Sequence, residues 1–139
     1  SACSTVGPFA EAENGKSDIP ILRIDDAMAE EAVKRGHKIT VLATFKPTLG
    51  PTTDLIKRKD PNAEVKTVLI EGAFDLLSAG NVKKHNELIA QTVENEIKSA
   101  DVIVLAQASM AAALGELSDK EKILTSPLLG ILKLKKILG

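Results

Sequence analysis

Asp101-Val102-Ile103-Val104-Leu105-Ala106 runs directly into Gln107-Ala108-Ser109-Met110. A short β-branched apolar run bounded by polar residues is the pattern of a strand buried on both faces, as in a parallel sheet. The small polar turn and the Ala-rich stretch after it complete a strand–turn–helix reading. The pattern recurs, altered, near the amino end as Cys3-Ser4-Thr5-Val6-Gly7-Pro8. Each copy is followed by an Ala/Glu-rich stretch of helical character and then by a short apolar strand. These strands are Pro20-Ile21-Leu22-Arg23-Ile24 in the first copy and Lys122-Ile123-Leu124-Thr125 in the second. The chain thus reads as two related halves, one offering a thiol at its turn and the other an amide.

Working outward, Ile39-Thr40-Val41-Leu42-Ala43 and the run from Val65 to Ile70 read as further buried parallel strands. Helical patterns lie between them. Asp25 or Asp26 can cap a helix with Ala29, Ala32 and Val33 on its apolar side, Glu30–Lys34 and Glu31–Arg35 as i,i+4 pairs, and Gly36 at its end. Asp60-Pro61-Asn62 marks a turn. Asn81 starts a long helix with Ile89, Val93 and Ile97 in register. After Pro127, Leu128, Ile131, Leu132 and Leu138 repeat at near-helical spacing. Alternation of this kind predicts an α/β fold with a mostly parallel sheet flanked by helices. The second copy has a strand before its turn, whereas the first begins at Ser1. A lobe lacking its leading strand would expose a sheet edge, so the expectation is a chain forming the C-terminal part of a larger protein.

Composition narrows the function classes. A formal net charge of −1 gives no electrostatic footprint for nucleic acid. A single Cys excludes an internal disulfide framework and fits a reducing compartment such as the cytoplasm. No segment reaches the roughly 18 apolar residues of a membrane span. One Cys and two distant His do not make a zinc site. No Gly-rich phosphate fingerprint or nucleophile elbow is present. The basic terminal helix, with Lys133, Lys135 and Lys136, suits packing on a neighbouring lobe better than a membrane surface.

In open α/β sheets, ligands bind at the carboxyl ends of strands where connections diverge. Cys3 falls where such a strand ends and a helix begins. Free N–H groups there favour a thiolate, with Ser4 and Thr5 adding hydroxyls; the alternative is an inert buried thiol. Thr44 closes the strand Ile39–Ala43 at the same sheet end, as a ligand contact or a plain cap. Thr48 or Thr52 caps the helix carrying Leu55 and Ile56, and Thr52-Thr53 reads as capping only. Gln107 either bonds the backbone as a buried amide or contacts a ligand; it cannot titrate. Thr125-Ser126-Pro127 is a turn before the last helix, with donors to offer. His37 belongs to the opposite sheet end, and His85, beside Lys83 and Lys84, reads as part of a solvated face.

Taken together, Cys3-Ser4-Thr5-Val6-Gly7, Leu42-Ala43-Thr44 with Thr48, Val102–Gln107 and Leu124-Thr125-Ser126-Pro127 resemble, in order and spacing, motifs of the aspartate/glutamate/hydantoin racemase superfamily. The resemblance covers the whole chain and corresponds to the C-terminal three-fifths of a member. It implies two pseudo-twofold related α/β lobes with the active site between them. Residues 1–25 and 121–139 would be the remnant of the first lobe and residues 26–120 the second. It further implies no cofactor, no metal, a small carboxylate or related carbonyl substrate, and a homodimer or higher homo-oligomer. Cys3 matches the first catalytic cysteine, and Ser4, Thr5, Thr44 and Ser109 match substrate-binding positions. Gln107 stands where the second cysteine belongs and would orient substrate. The implied reaction is racemisation or isomerisation at an α-carbon with a single thiol. The alternatives are a one-cysteine decarboxylase and a non-catalytic small-molecule binding protein.

Overall fold

β1 (Lys38–Ala43), β2 (Glu64–Leu69), β3 (Val102–Leu105) and β4 (Ile123–Thr125) form one parallel sheet in the computed structural model, which describes residues 1–16 and 18–139. The strand order is β2-β1-β3-β4. The chain lays down β1, steps outward to β2, and then returns to place β3 on the other side of β1. Connections therefore diverge between β1 and β3, the topological switch point of the sheet. The helices are α1 (Gly7–Glu11), α2 (Asp26–Arg35), α3 (Leu49–Lys59), α4 (Ala73–Ser78), α5 (Val82–Glu96) and α6 (Ser126–Leu138), with 3₁₀ segments at Lys46–Thr48 and Ala108–Glu116.

The alternation of side chains along β1 and β3 builds two cores. Ile39, Val41, Ala43, Val102, Val104 and Ala106 pack with Met28, Ala29 and Ala32 of α2 and Leu55 and Ile56 of α3. Leu42, Ile103 and Leu105 pack on the other face with Ile89, Ala90 and Val93 of α5 and with Met110 and Ala113. Burying one such aliphatic side chain stabilises by about 1.5–3 kcal/mol over leaving it exposed. The two central strands, buried almost throughout, therefore fix the sheet. β2 departs from the expectation of a buried strand: it is one edge of the sheet and half of its residues are exposed, while Val65 and Val68 are partly buried against the two cores. Its Lys66 reaches Glu96 of α5 at 2.6 Å.

Other expectations meet a competing force. Pro20–Ile24 forms no strand. Its backbone is bonded by Ser1, whose amino group donates to Leu22 O at 2.5 Å and whose carbonyl accepts from Ile24 N at 2.9 Å, and by the Asn14 side chain, which bonds Ile21 N and O at 2.7 and 2.9 Å. One residue of backbone and one side chain do not make a ladder. Ala108–Glu116 winds as a 3₁₀ helix, with Met110 and Ala113 buried. Their spacing of three suits a helix with three residues per turn. Asn81 caps α5 as expected, accepting from Lys84 N at 3.4 Å, and Asn62 N donates to Asp60 Oδ1 at 2.9 Å in the 60–62 turn. At α2, Asp25 occupies the cap position without making a side-chain cap bond. Glu31–Arg35 forms at 2.6 Å, but Glu30 turns to Lys59 and Lys133 instead of Lys34.

α6 docks on α2 through charge and close approach. Lys133 bonds both Asp26 and Glu30, and Lys59 of α3 bonds the same two carboxylates. Burial pushes Asp26 up, but the Lys133 and Lys59 ammonium groups outweigh it and hold Asp26 low. The Lys133 bond holds Glu30 low against its own burial, with Lys59 assisting. Burial likewise opposes the charge on Lys133, yet Asp26 and Glu30 raise it. Gly130 permits the approach: a Cβ there would lie 2.6 Å from the Ile24 carbonyl oxygen. Leu129 packs on the α2–α3 core, while Leu128, Ile131, Leu132 and Leu138 are exposed. β4 lies in the same sheet as β1, β2 and β3.

Candidate functional site

Three strand-end segments converge over the switch point. The first is the Cys3 turn, laid across the tips of β1 and β3 by side-chain bonds. Ser4 Oγ, buried, donates to Ala106 O at 3.1 Å, and the Thr5 and Thr48 hydroxyls pair at 3.1 Å. Cys3 itself is exposed. The Val6 N–H pulls its thiol below the ordinary range; slight burial opposes this, the Thr5 N–H and hydroxyl assist, and the Asp25 carboxylate opposes weakly. Val6 is the N-cap residue of α1 and Thr5 precedes it, so backbone donors at the helix entry favour a thiolate.

The second and third segments are joined by Gln107. Its Oε1 accepts from Thr44 N at 2.7 Å, Thr44 Oγ1 at 3.1 Å and Phe45 N at 3.1 Å. Three converging donors require the carbonyl end of the amide there, which settles its flip on chemical grounds. The Nε2 group, with no acceptor among the described residues, is thereby turned away from the β1 tip. Gln107 is thus bonded to the Thr44 and Phe45 backbone through its carbonyl end. Ser109 sits exposed in the 3₁₀ helix and makes no described side-chain bond. The structure therefore brings together Cys3, Ser4, Thr5, Thr44 and Gln107, with Ser109 at the margin.

Capping explains little of the hydroxyl cluster. Thr48 is the N-cap of α3 by position, but its hydroxyl is committed to Thr5. The hydroxyls of Thr52 and Thr53 are buried without a partner among the described residues, and so is that of Ser126. His37 lies at the amino end of β1, 3.7 Å from Glu64. His85 is buried on α5, not solvated, with Nδ1 2.9 Å from Asn86 Oδ1. Its spacing of four from Ile89, and of eight from Val93, was the overlooked sign that it shares their face.

Sequence reasoning also missed what holds the Cys3 turn. Arg23 and Asp25, with side chains 2% and 1% exposed, form a bidentate pair at 3.0 and 2.8 Å. Glu11 lies 3.6 Å from Arg23 and 2.9 Å from Arg58 of α3. Burial disfavours the Arg23 charge, but Asp25 and Glu11 raise its pKa overall. Gly7 is needed because a Cβ there would meet Arg23 Nε at 2.6 Å. Two cavities are lined by other residues. One of about 550 Å³ lies among Ser1, Leu22, Ile24, Gly130 and Leu134, and one of about 400 Å³ among Pro8, Pro51 and Arg58. Among the described residues no cluster of His, Cys, Asp or Glu is placed to hold a metal. No described helix is long and apolar enough to cross a membrane.

A family model described as Asp/Glu/Hydantoin racemase matches residues 1–129. No curated protein matches the chain. Among solved structures, glutamate racemase isoform RacE1 from Bacillus anthracis is similar, with TM-score 0.73 at 17% identity over 98% of this chain and 55% of that one. Glutamate racemase from Francisella tularensis subsp. tularensis SCHU S4, in complex with D-glutamate, has TM-score 0.68 at 14% identity over 98% of this chain and 54% of that one. The chain therefore spans about half the length of these structures, which share its fold.

Proposed function

Since the chain belongs to the Asp/Glu/hydantoin racemase family, we propose that it is a racemase-like isomerase acting at the α-carbon of a small carboxylate or related carbonyl compound. The observation that carries this reading is the exposed Cys3 thiol, drawn below its ordinary range by the Val6 N–H. As thiolate, Cys3 takes the α-proton and leaves an enolate, and as thiol it returns a proton to the carbon. The Nε2 of Gln107, fixed as a donor by the clamp on Oε1, holds the substrate oxygen on which charge grows. Ser4, Thr5, Thr44 and Ser109 surround the same space, and the reading requires no cofactor.

Gln107 cannot carry a proton, so Cys3 works from one face only. Exchange of the α-proton with solvent is therefore expected to outrun inversion. The same asymmetry favours a second reading, a decarboxylase in which loss of carbon dioxide generates the enolate and Cys3 protonates it. The test is incubation of the protein in deuterium oxide with a panel of α-substituted carboxylates and malonates. Cys3-dependent deuterium at the α-carbon without carbon dioxide supports the isomerase. Carbon dioxide release supports the lyase. Any activity that survives Cys3→Ala unchanged defeats both, and ligand binding without turnover leaves a binding protein.

A further inference from the structure

The chain contains three aromatic residues, and none of them is in either core. Two are stacked at the carboxyl end of the sheet. Phe45 and Phe74 have ring centroids 5.0 Å apart with an interplanar angle of 29°, and they are 40% and 43% exposed. Phe45 lies two residues beyond the end of β1, and its own N–H is one of the three donors to Gln107. Phe74 is on α4, which begins beyond the tip of β2. The pair thus borders the switch point on its β2 side. Offset-stacked rings present a broad apolar face whose hydrogen-bonding capacity is nil. The nearby donors at the β1 tip are already committed to Gln107 Oε1.

We propose that Phe45 and Phe74 form the specificity wall of the site, selecting a carboxylate whose α-carbon carries an apolar substituent over one whose substituent ends in a second carboxylate. A second carboxylate placed against these rings would give up its hydration and find no donor, whereas an aryl or branched alkyl group would cover them. The inference rests on the proposed placement of the substrate between Cys3 and Gln107.

The test is calorimetric titration of the full chain with phenylacetate and with succinate, in the Cys3→Ala background so that turnover does not interfere. Phenylacetate is expected to bind about tenfold tighter or more, on the order of one methylene-to-ring difference in apolar contact. Phe74→Ala is expected to bring the two affinities within about threefold by weakening phenylacetate alone, and Phe74→Leu to keep most of the preference. Equal affinities, tighter succinate, no saturation by either acid, or a ratio untouched by Phe74→Ala would each overturn the wall. If Cys3-dependent exchange is absent but the Phe74-dependent preference stands, the reaction fails and the wall survives. If exchange proceeds on substrates without regard to Phe74, the wall fails and the reaction survives.

Discussion

The turn at Gln107 and the turn at Cys3 sit over the same strand tips but are mounted in opposite ways. Gln107 ends a strand buried along its whole length, and its side chain is clamped by three donors. Cys3 belongs to a segment with no strand of its own, held by the Ser4, Thr5 and Arg23 contacts. The rigid turn carries a group that cannot ionise, and the loosely mounted turn carries the group that can. The ionisable thiol therefore depends on a few polar contacts, while the hydrophobic core holds the amide.

The largest effect is expected from Arg23→Ala. It leaves the Asp25 carboxylate buried without its partner, which costs about 3–5 kcal/mol. Because the Asp25 charge also raises the Cys3 thiol, the pH at which Cys3 becomes half-alkylated by iodoacetamide is expected to move upward. Melting of the sheet with an unchanged Cys3 profile would show that the two turns are not mounted separately. Replacing Arg23 and Asp25 together by apolar residues of similar volume is expected to recover most of the loss.

A middle-sized effect is expected at the other turn. Gln107→Leu preserves bulk but leaves the Thr44 and Phe45 N–H groups without their acceptor, at about 1–3 kcal/mol. Hydrogen exchange at those amides should quicken while Cys3 alkylation stays as it was. Coupled changes at both turns would break the contrast drawn above.

The smallest effect concerns α6, which closes against α2 beside the Cys3 segment. Asp26 and Glu30 have folded pKa values held low, so their contribution is present above the unfolded values, near about 3.9 and 4.3, and is lost as pH falls through the folded ones. Lys133 is raised, so its part is present below its unfolded value and is lost as pH rises through the folded one. These side chains are partly exposed, and solvent screening limits the contribution to about 1 kcal/mol or less. Thermal melts of wild type and Lys133→Ala are expected to differ slightly at neutral pH and to converge in acid. A gap that persists in acid would assign the contact to packing around Gly130.

The central fold was legible because it is written in local pattern. Val102–Leu105 and Ile39–Ala43 are apolar runs that can be satisfied only between two helical layers, and Asn81 caps α5 within its own turn. What escaped depends on partners distant in sequence or on an angle around a helix. Pro20–Ile24 has strand composition but is bonded by Ser1 and the Asn14 side chain, not by a neighbouring strand. Arg23 reads only as part of that apolar run, yet it pairs with Asp25 and lies 3.6 Å from Glu11 of α1. His85 was weighed with its charged sequence neighbours rather than with Ile89 and Val93 on its helical face. At the candidate site the residue types and their common sheet end were readable. The amide orientation of Gln107 was not, because it is set by donors more than sixty residues away.

The exposed, solitary thiol has a practical consequence. With no Trp or Tyr in the chain, intrinsic fluorescence and near-ultraviolet absorbance are nearly silent. A dye or spin label on Cys3 would attach at one position only and, with the thiol drawn below its usual range, under milder conditions than most cysteines need. It would report from beside the strand tips against an almost dark background, so that arrival of a ligand there could be followed without a substrate assay.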